Sequence, residues 1–104
     1  MLAPEVEGSA NAAPVIESTP ITQAYVNNNY FYIVSASDAD DDSLTYQIEL
    51  TNRDTGAEAD FLSFFNNFVQ GTPRDDDIGE YDARIIVSDG TDAAVQEFIL
   101  TVEE

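Results

Sequence analysis

Leu44-Thr45-Tyr46-Gln47-Ile48-Glu49-Leu50 alternates apolar and polar side chains without a break over seven positions. That period of two belongs to a strand with one face on a core and the other in water, because successive side chains of extended backbone point to opposite sides. Upstream, Tyr30-Phe31-Tyr32-Ile33-Val34-Ser35-Ala36 is rich in aromatic and β-branched residues and too short for a helix of usual length, so it reads as a strand buried on at least one face. Downstream, Tyr81, Ala83, Ile85 and Val87 share one face of a further strand, and Phe98, Leu100 and Val102 share one face of the last. With no helical period anywhere, the pattern predicts an all-β domain, a seven- to eight-stranded Greek-key β-sandwich.

The connections carry turn chemistry. Residues 1–13 hold Pro, Gly, Ser, Asn and Ala without periodicity and read as a linker or flexible N-terminal segment; the sandwich is expected over residues 14–104. Residues 15–17 and 21–26, with Pro20 between them, suit an edge strand that breaks and resumes. Asn27-Asn28-Asn29 marks a tight turn, since Asn tolerates the left-handed conformation. Residues 51–60 read as a polar loop. Residues 61–64 and 68–70 read as short strands joined through Asn66-Asn67, and Gly71-Thr72-Pro73 turns the chain. Asp77-Ile78-Gly79-Glu80-Tyr81 has the form of a tyrosine corner, in which a phenol bonds back to backbone a few residues upstream; Tyr81 is therefore expected to be structural.

Composition narrows the function. The 104 residues suffice for one domain with a modest core. Three arginines, Arg53, Arg74 and Arg84, face 21 acidic residues, for a formal charge of -18. Nucleic acids and anionic membranes would be repelled. Such charge is common in disordered chains, but 43% hydrophobic residues, with five Tyr and six Phe, argue for a buried core. Histidine, cysteine and lysine are all missing, which removes the common catalytic bases and activated nucleophiles and predicts a non-enzyme. No apolar stretch approaches a membrane span and the first residues lack a signal-peptide pattern, so the chain reads either as cytosolic or as a module excised from a larger protein, and excision is the reading adopted.

The acids are not evenly spread. Asp38-Ala39-Asp40-Asp41-Asp42 packs four aspartates into five residues between two strands. Like charges ~4 Å apart repel by about 1 kcal/mol in bulk water and about 4 kcal/mol at an effective dielectric near 20, and a hard divalent cation relieves this. The run also reads as a solvated acidic loop. In a sandwich of this topology the loop after the second strand and the loop after the sixth lie at one end, which sets the run beside Asp89 and the incoming Asn11 segment. Carboxylates of Asp38, Asp40, Asp41, Asp42 and Asp89, with the Asn11 side chain and nearby backbone carbonyls, could then supply the six to eight oxygens of a Ca2+ site. Asp38, Asp40, Asp42 and Glu49 match positions of an EF-hand loop, but Ser43 stands where glycine is needed, and Glu49 would point outward from a strand. Asp75, Asp76 and Asp77, with Glu103 and Glu104, are expected at the opposite end, where they form either a solvated turn or a second ion site.

Taken in order, Asn11-Ala12-Ala13-Pro14, Ala36-Ser37-Asp38-Ala39-Asp40-Asp41-Asp42-Ser43-Leu44-Thr45-Tyr46, Leu62-Ser63-Phe64, Gly71-Thr72-Pro73, Asp77-Ile78-Gly79-Glu80-Tyr81 and Val87-Ser88-Asp89-Gly90 resemble the dystroglycan-type cadherin-like family over residues 11–102. The resemblance implies a cadherin/immunoglobulin-like sandwich, found in tandem in large secreted or surface proteins, many of them bacterial, and calcium-dependent adhesion. It also implies that Asp38 and Asp40 are paired loop ligands, Asp89 the ligand after the sixth strand, and Asn11 the linker ligand. Two departures stand out: the stretch after Phe64 is short and uses Asn66-Asn67, and Phe61 stands where the family often has Trp. The expected partners are neighbouring cadherin-like domains, homophilic protein contacts or a polysaccharide, with no nucleic acid and no membrane insertion, and the isolated domain is expected to be a monomer. The alternative function is a carbohydrate-binding accessory module of a polysaccharide-degrading or biofilm-matrix protein, for which Phe31 and Phe65 are the candidate stacking residues, although each reads first as packed or singly exposed and the absence of Trp counts against the module.

Overall fold

A computed structural model describes residues 13–38 and 43–104. Its strands are β1 (Val15–Ile16), β2 (Gln23–Tyr25), β3 (Tyr30–Ile33), β4 (Ala36–Ser37), β5 (Thr45–Asn52), β6 (Glu58–Ala59), β7 (Ser63–Phe65), β8 (Phe68–Gly71), β9 (Gly79–Ser88) and β10 (Ala93–Glu103), with one 3-10 turn at Asp75–Asp77. They form a five-stranded sheet in the order β2-β10-β9-β5-β6, facing a three-stranded sheet β3-β8-β7 and the pair β1-β4. Counting β1/β2 and β3/β4 as two interrupted strands gives eight, so the expected all-β sandwich is what forms.

The long strands follow directly from their residues. β9 pairs antiparallel with β10 from Ser88↔Ala93 to Gly79↔Val102 and with β5 from Ser88↔Thr45 to Tyr81↔Asn52. That register lines up Tyr81, Ala83, Ile85 and Val87 on one face with Leu50, Leu100 and Val102, all buried. Tyr30, Tyr32 and Val69 of the three-stranded sheet, with Val34 and Leu62 beside its strands, complete the core. Each such aliphatic or aromatic side chain removed from water contributes about 1.5–3 kcal/mol, which is what holds two sheets together in a chain repelled by its own charge.

The first strand changes sheets. β1 pairs with β4, while β2 pairs parallel with β10, so residues 17–22 cross from one layer to the other. A closed ring of hydrogen bonds fixes this crossing. The Ser35 amide donates to Ser18 Oγ (2.9 Å), Tyr32 Oη donates to Gln96 Oε1 (2.9 Å), and Gln96 Nε2 donates to the Ser18 carbonyl (2.8 Å). Because the single phenolic proton of Tyr32 is committed to Gln96, the 2.8 Å contact between Ser18 Oγ and Tyr32 Oη has the serine as donor. Nearby, Tyr30 Oη donates to the Ile21 carbonyl at 2.6 Å. Burial, reinforced by the neighbouring Tyr32, raises the Tyr30 phenol well above its ordinary pKa and keeps it a donor.

Several details differ from the pattern expected of the sequence. The aromatic strand breaks at Val34-Ser35, where the chain exchanges β8 for β1 as its partner; the Val34 amide instead donates to the Asn67 carbonyl at 2.8 Å. The expected loop over residues 51–60 contains the end of β5 and the whole of β6, closed by a turn with Gly56 at φ 75°. Phe61 and Leu62 precede β7 rather than open it. Gly71 is not only a turn residue. It ends β8 opposite Tyr30, and a β-carbon there would collide with the Phe61 carbonyl oxygen and press on Leu62 Cδ2. Asn27 and Asn66 adopt left-handed backbone at φ 64° and 56°, as their turns require.

Candidate functional site

The strand ends define two poles. The Asn27 amide donates to the Pro73 carbonyl and the Val26 amide to the Glu103 carbonyl, so β3 starts at the end where β9 starts. Consequently β4 finishes at the end where β9 finishes. Ser37 pairs with Val15, and continuing that antiparallel register sets Asp38 beside Pro14. Thr45, the first residue of β5, pairs with Ser88, and Thr45 Oγ1 donates to the Ser88 carbonyl at 3.4 Å. The chain segments flanking the aspartate run, the incoming segment at Pro14 and the turn after β9 therefore occupy one end of the sandwich.

Of the six residues expected to hold calcium, Asn11, Asp40, Asp41 and Asp42 lie outside the described residues, leaving Asp38 and Asp89. Asp38 is partly exposed as a residue, yet its Oδ2 is shut off from solvent. Asp89 Oδ1 accepts the amides of Thr91 and Asp92, each at 2.8 Å, and the Asp89 amide donates to the Asp92 carbonyl at 3.1 Å. Gly90, at φ 98°, completes the turn. Asp89 thus has a structural task, shaping its own loop, alongside any role as a ligand. Among the described residues no group of three or more acidic side chains is gathered closely enough to hold a metal. The donors at this end are oxygens alone, the set suited to a hard cation such as Ca2+.

At the opposite pole, Asp75–Asp77 form the 3-10 turn. Asp77 Oδ2 accepts the Arg74 amide at 2.9 Å, and the Asp77 carbonyl accepts Tyr81 Oη at 2.8 Å, the bond of the expected tyrosine corner. Burial raises the Tyr81 phenol above its ordinary pKa; a hydrogen bond from Asn52 opposes this, and the carboxylates of Asp77 and Asp76 add to it. A recess of about 290 Å³ between Asp60, Phe61, Thr72, Arg74, Asp76 and Asp77 brings a guanidinium among the acids. Arg53 and Arg84 lie on the outward face of the large sheet and are committed to ion pairs, Arg53 with Asp82 at 2.6 Å and with Glu80 at 3.9 Å, Arg84 with Glu97 at 3.7 Å. Glu49, on the same face, pairs in register with Arg84, far from the geometry of an EF-hand ligand.

The outward face of the small sheet is of another kind. Phe31 and Phe65, 44% and 59% exposed, both pack against Phe68, with ring centroids 4.9 Å and 5.5 Å apart. They are neither buried nor isolated, as each could be read alone; the ring they share joins them. Ile33, 55% exposed, pairs with Phe68 and extends the surface. The signal was Phe31 and Ile33 at alternate positions of one strand, but Phe68 is joined to them only through the register.

Residues 13–103 match the model of the family described as "Putative Ig domain". The chain belongs to this Ig-like family. Domains of this family are typically non-catalytic. The Ig-like domain is similar to part of the chain described as "Endo-fucoidan hydrolase MfFcnA4 from glycoside hydrolase family 107", at 25% identity and TM-score 0.66 over 88% of this chain and 14% of that one. It shares its fold with part of a "putative alpha-galactosidase" from Bacteroides fragilis NCTC 9343, at 13% identity and TM-score 0.58 over 86% of this chain and 17% of that one. It also shares its fold with a chain of "Structural basis for Dscam isoform specificity", at 14% identity and TM-score 0.62, over 90% of this chain and 25% of that one. The Ig-like domain thus spans between a seventh and a quarter of these chains. No curated protein matches the sequence.

Proposed function

We propose that this Ig-like domain is a non-catalytic, calcium-stabilised module of the cadherin-like kind, carried by a larger secreted or cell-surface protein of bacterial type. It serves calcium-dependent adhesion and acts as a spacer that holds neighbouring modules of the parent chain at a set reach. The observation that carries this reading is the pairing of Thr45 with Ser88, which sets the strand leaving the aspartate run beside the strand leading to Asp89. Asp38, Asp40, Asp41, Asp42, Asp89 and Asn11 are the residues that would hold the ion. Bound there, Ca2+ supplies charge neutralisation and a link between turns that otherwise repel each other. Free ion at 100 times its dissociation constant adds about 2.7 kcal/mol to stability. For a domain of this size that corresponds to a rise in Tm of roughly 10–20 °C. Thermal unfolding in millimolar CaCl2 against excess chelator tests the proposal, with MgCl2 as the control; equal melting temperatures in calcium and chelator would dismiss it.

A second reading has its own support. Similarity at 25% identity to a segment of an endo-fucoidan hydrolase, together with the exposed phenylalanines, favours an accessory module in a protein that acts on polysaccharide. The two readings are compatible, since one concerns the end of the sandwich and the other a sheet face.

A further inference from the structure

The residues of β3, β7 and β8 include no charged side chain, in a domain whose formal charge is -18. On the outward face these strands present Phe31, Ile33, Phe65 and Phe68 together with Ser63 and Gln70, which lie opposite each other in the β7–β8 register. Aromatic and aliphatic surface bordered by an uncharged hydroxyl and an uncharged amide is the chemistry that meets a sugar ring: apolar C–H faces against the rings, hydroxyls against Ser63 and Gln70. We propose that this face binds a neutral polysaccharide, an inference that rests on the accessory-module reading above.

Size and charge choose this occupant over the others. With side chains of roughly 200 Å² each, the exposed fractions of Phe31, Ile33 and Phe65 amount to about 300 Å² of contiguous apolar surface. A stable contact between two copies of the chain would need about 800 Å² per partner, whereas a few sugar rings are covered by the smaller area. A sulfated or uronic-acid polymer would have to approach a strongly anionic domain, so charge selects an uncharged glycan. The rings are not coplanar: Phe68 is tilted 41° from Phe31 and 62° from Phe65. A twisted set of rings follows a single soluble chain whose sugar faces turn along its length, and does not fit the flat surface of a crystalline polymer.

Affinity electrophoresis in gels containing soluble β-glucan, xyloglucan, galactomannan, fucoidan or polygalacturonate tests this with the domain as it stands. The proposal expects retardation by at least one neutral glycan and by neither polyanion, with Phe65→Ala and Phe31→Ala each weakening binding by about tenfold, the loss typical of a contact worth about 1.4 kcal/mol. Both side chains are largely outside the core, and a circular dichroism melt checks that the variants remain folded. If the wild type is retarded and both folded variants are retarded equally, the face assignment falls while the accessory-module reading stands. If no glycan retards the wild type, both fall. If sedimentation at rising concentration reveals a dimer that Phe65→Ala dissociates, the face belongs to a second copy and the proposal is overturned.

Discussion

Replacing Tyr32 by Phe removes one oxygen atom from the crossing between the two sheets and leaves the ring in place. Tyr32 is 3% exposed, so its ring stays packed in the core when the hydroxyl is removed. Its hydroxyl accepts from Ser18 Oγ at 2.8 Å and donates to Gln96 Oε1 at 2.9 Å, and those two atoms each lose a partner in the variant. A buried polar group left without a hydrogen bond costs about 1–3 kcal/mol, and the closed ring through Gln96 Nε2 and the Ser18 carbonyl couples the loss to the bonds that remain. Partial exposure at Ser18 and Gln96 keeps the total near the middle of that range, about 2 kcal/mol, or a fall in Tm of roughly 8–16 °C. Urea unfolding followed by tyrosine fluorescence measures the difference. The double variant Tyr32→Phe/Gln96→Leu should cost less than the two single changes added together, because both act on one network. A Tyr32→Phe variant within 0.5 kcal/mol of the wild type, or strict additivity in the double variant, would refute the ring as a structural clasp; about 0.5 kcal/mol is the spread expected of neutral surface changes.

Gly71→Ala forces a β-carbon against the Phe61 carbonyl and Leu62 Cδ2, and overpacking of this kind costs about 1–3 kcal/mol, read as a lower urea midpoint; an unchanged or higher midpoint contradicts the close approach. Tyr30 and Tyr81 are raised above the usual phenol value near 10, so the folded state holds their protons longer than the unfolded state does. Their stabilisation is therefore complete below about pH 10 and is lost as pH climbs above it, and Tyr30→Phe should flatten the decline measured between pH 9.5 and 11.5. With a formal charge of -18, raising NaCl from 10 mM to 500 mM should increase Tm even in chelator, and an insensitive Tm would mean that self-repulsion is not a significant cost.

Much of the fold was legible because the long strands are half-buried. β5, β9 and β10 each carry a period-two pattern that survives into the observed burial, and Asn27, Asn66 and Tyr81 mark turns through their own backbone or hydroxyl chemistry. β6 was not legible, since Glu58-Ala59 has no periodicity and is held by its pairing with Leu50 and Thr51. The break between β3 and β4 was equally hidden: an exchange of hydrogen-bond partner leaves hydropathy unchanged. Gly71 reads as a turn in sequence, and only the approach of residue 61 reveals why no larger side chain fits there. For the candidate site, the shared end of Asp38 and Asp89 follows from strand order alone, but the double capping of the loop by Asp89 Oδ1 depends on backbone geometry that residue types do not encode. The aromatic face needed cross-strand register to join Phe31, Phe65 and Phe68.

Calorimetric titration of CaCl2 into the chelator-stripped domain tests the central claim most directly, and Asp89→Asn and Asp38→Asn are the informative variants. Asn at position 89 retains an Oδ1 that can accept the Thr91 and Asp92 amides while removing the charge, so the loop persists and only the ligand changes. The account predicts saturable binding to the wild type that each variant weakens at least tenfold, the minimum expected when a ligand carboxylate worth about 1.4 kcal/mol is neutralised. Absence of binding heat at millimolar calcium, or unchanged affinity in both variants, would contradict it.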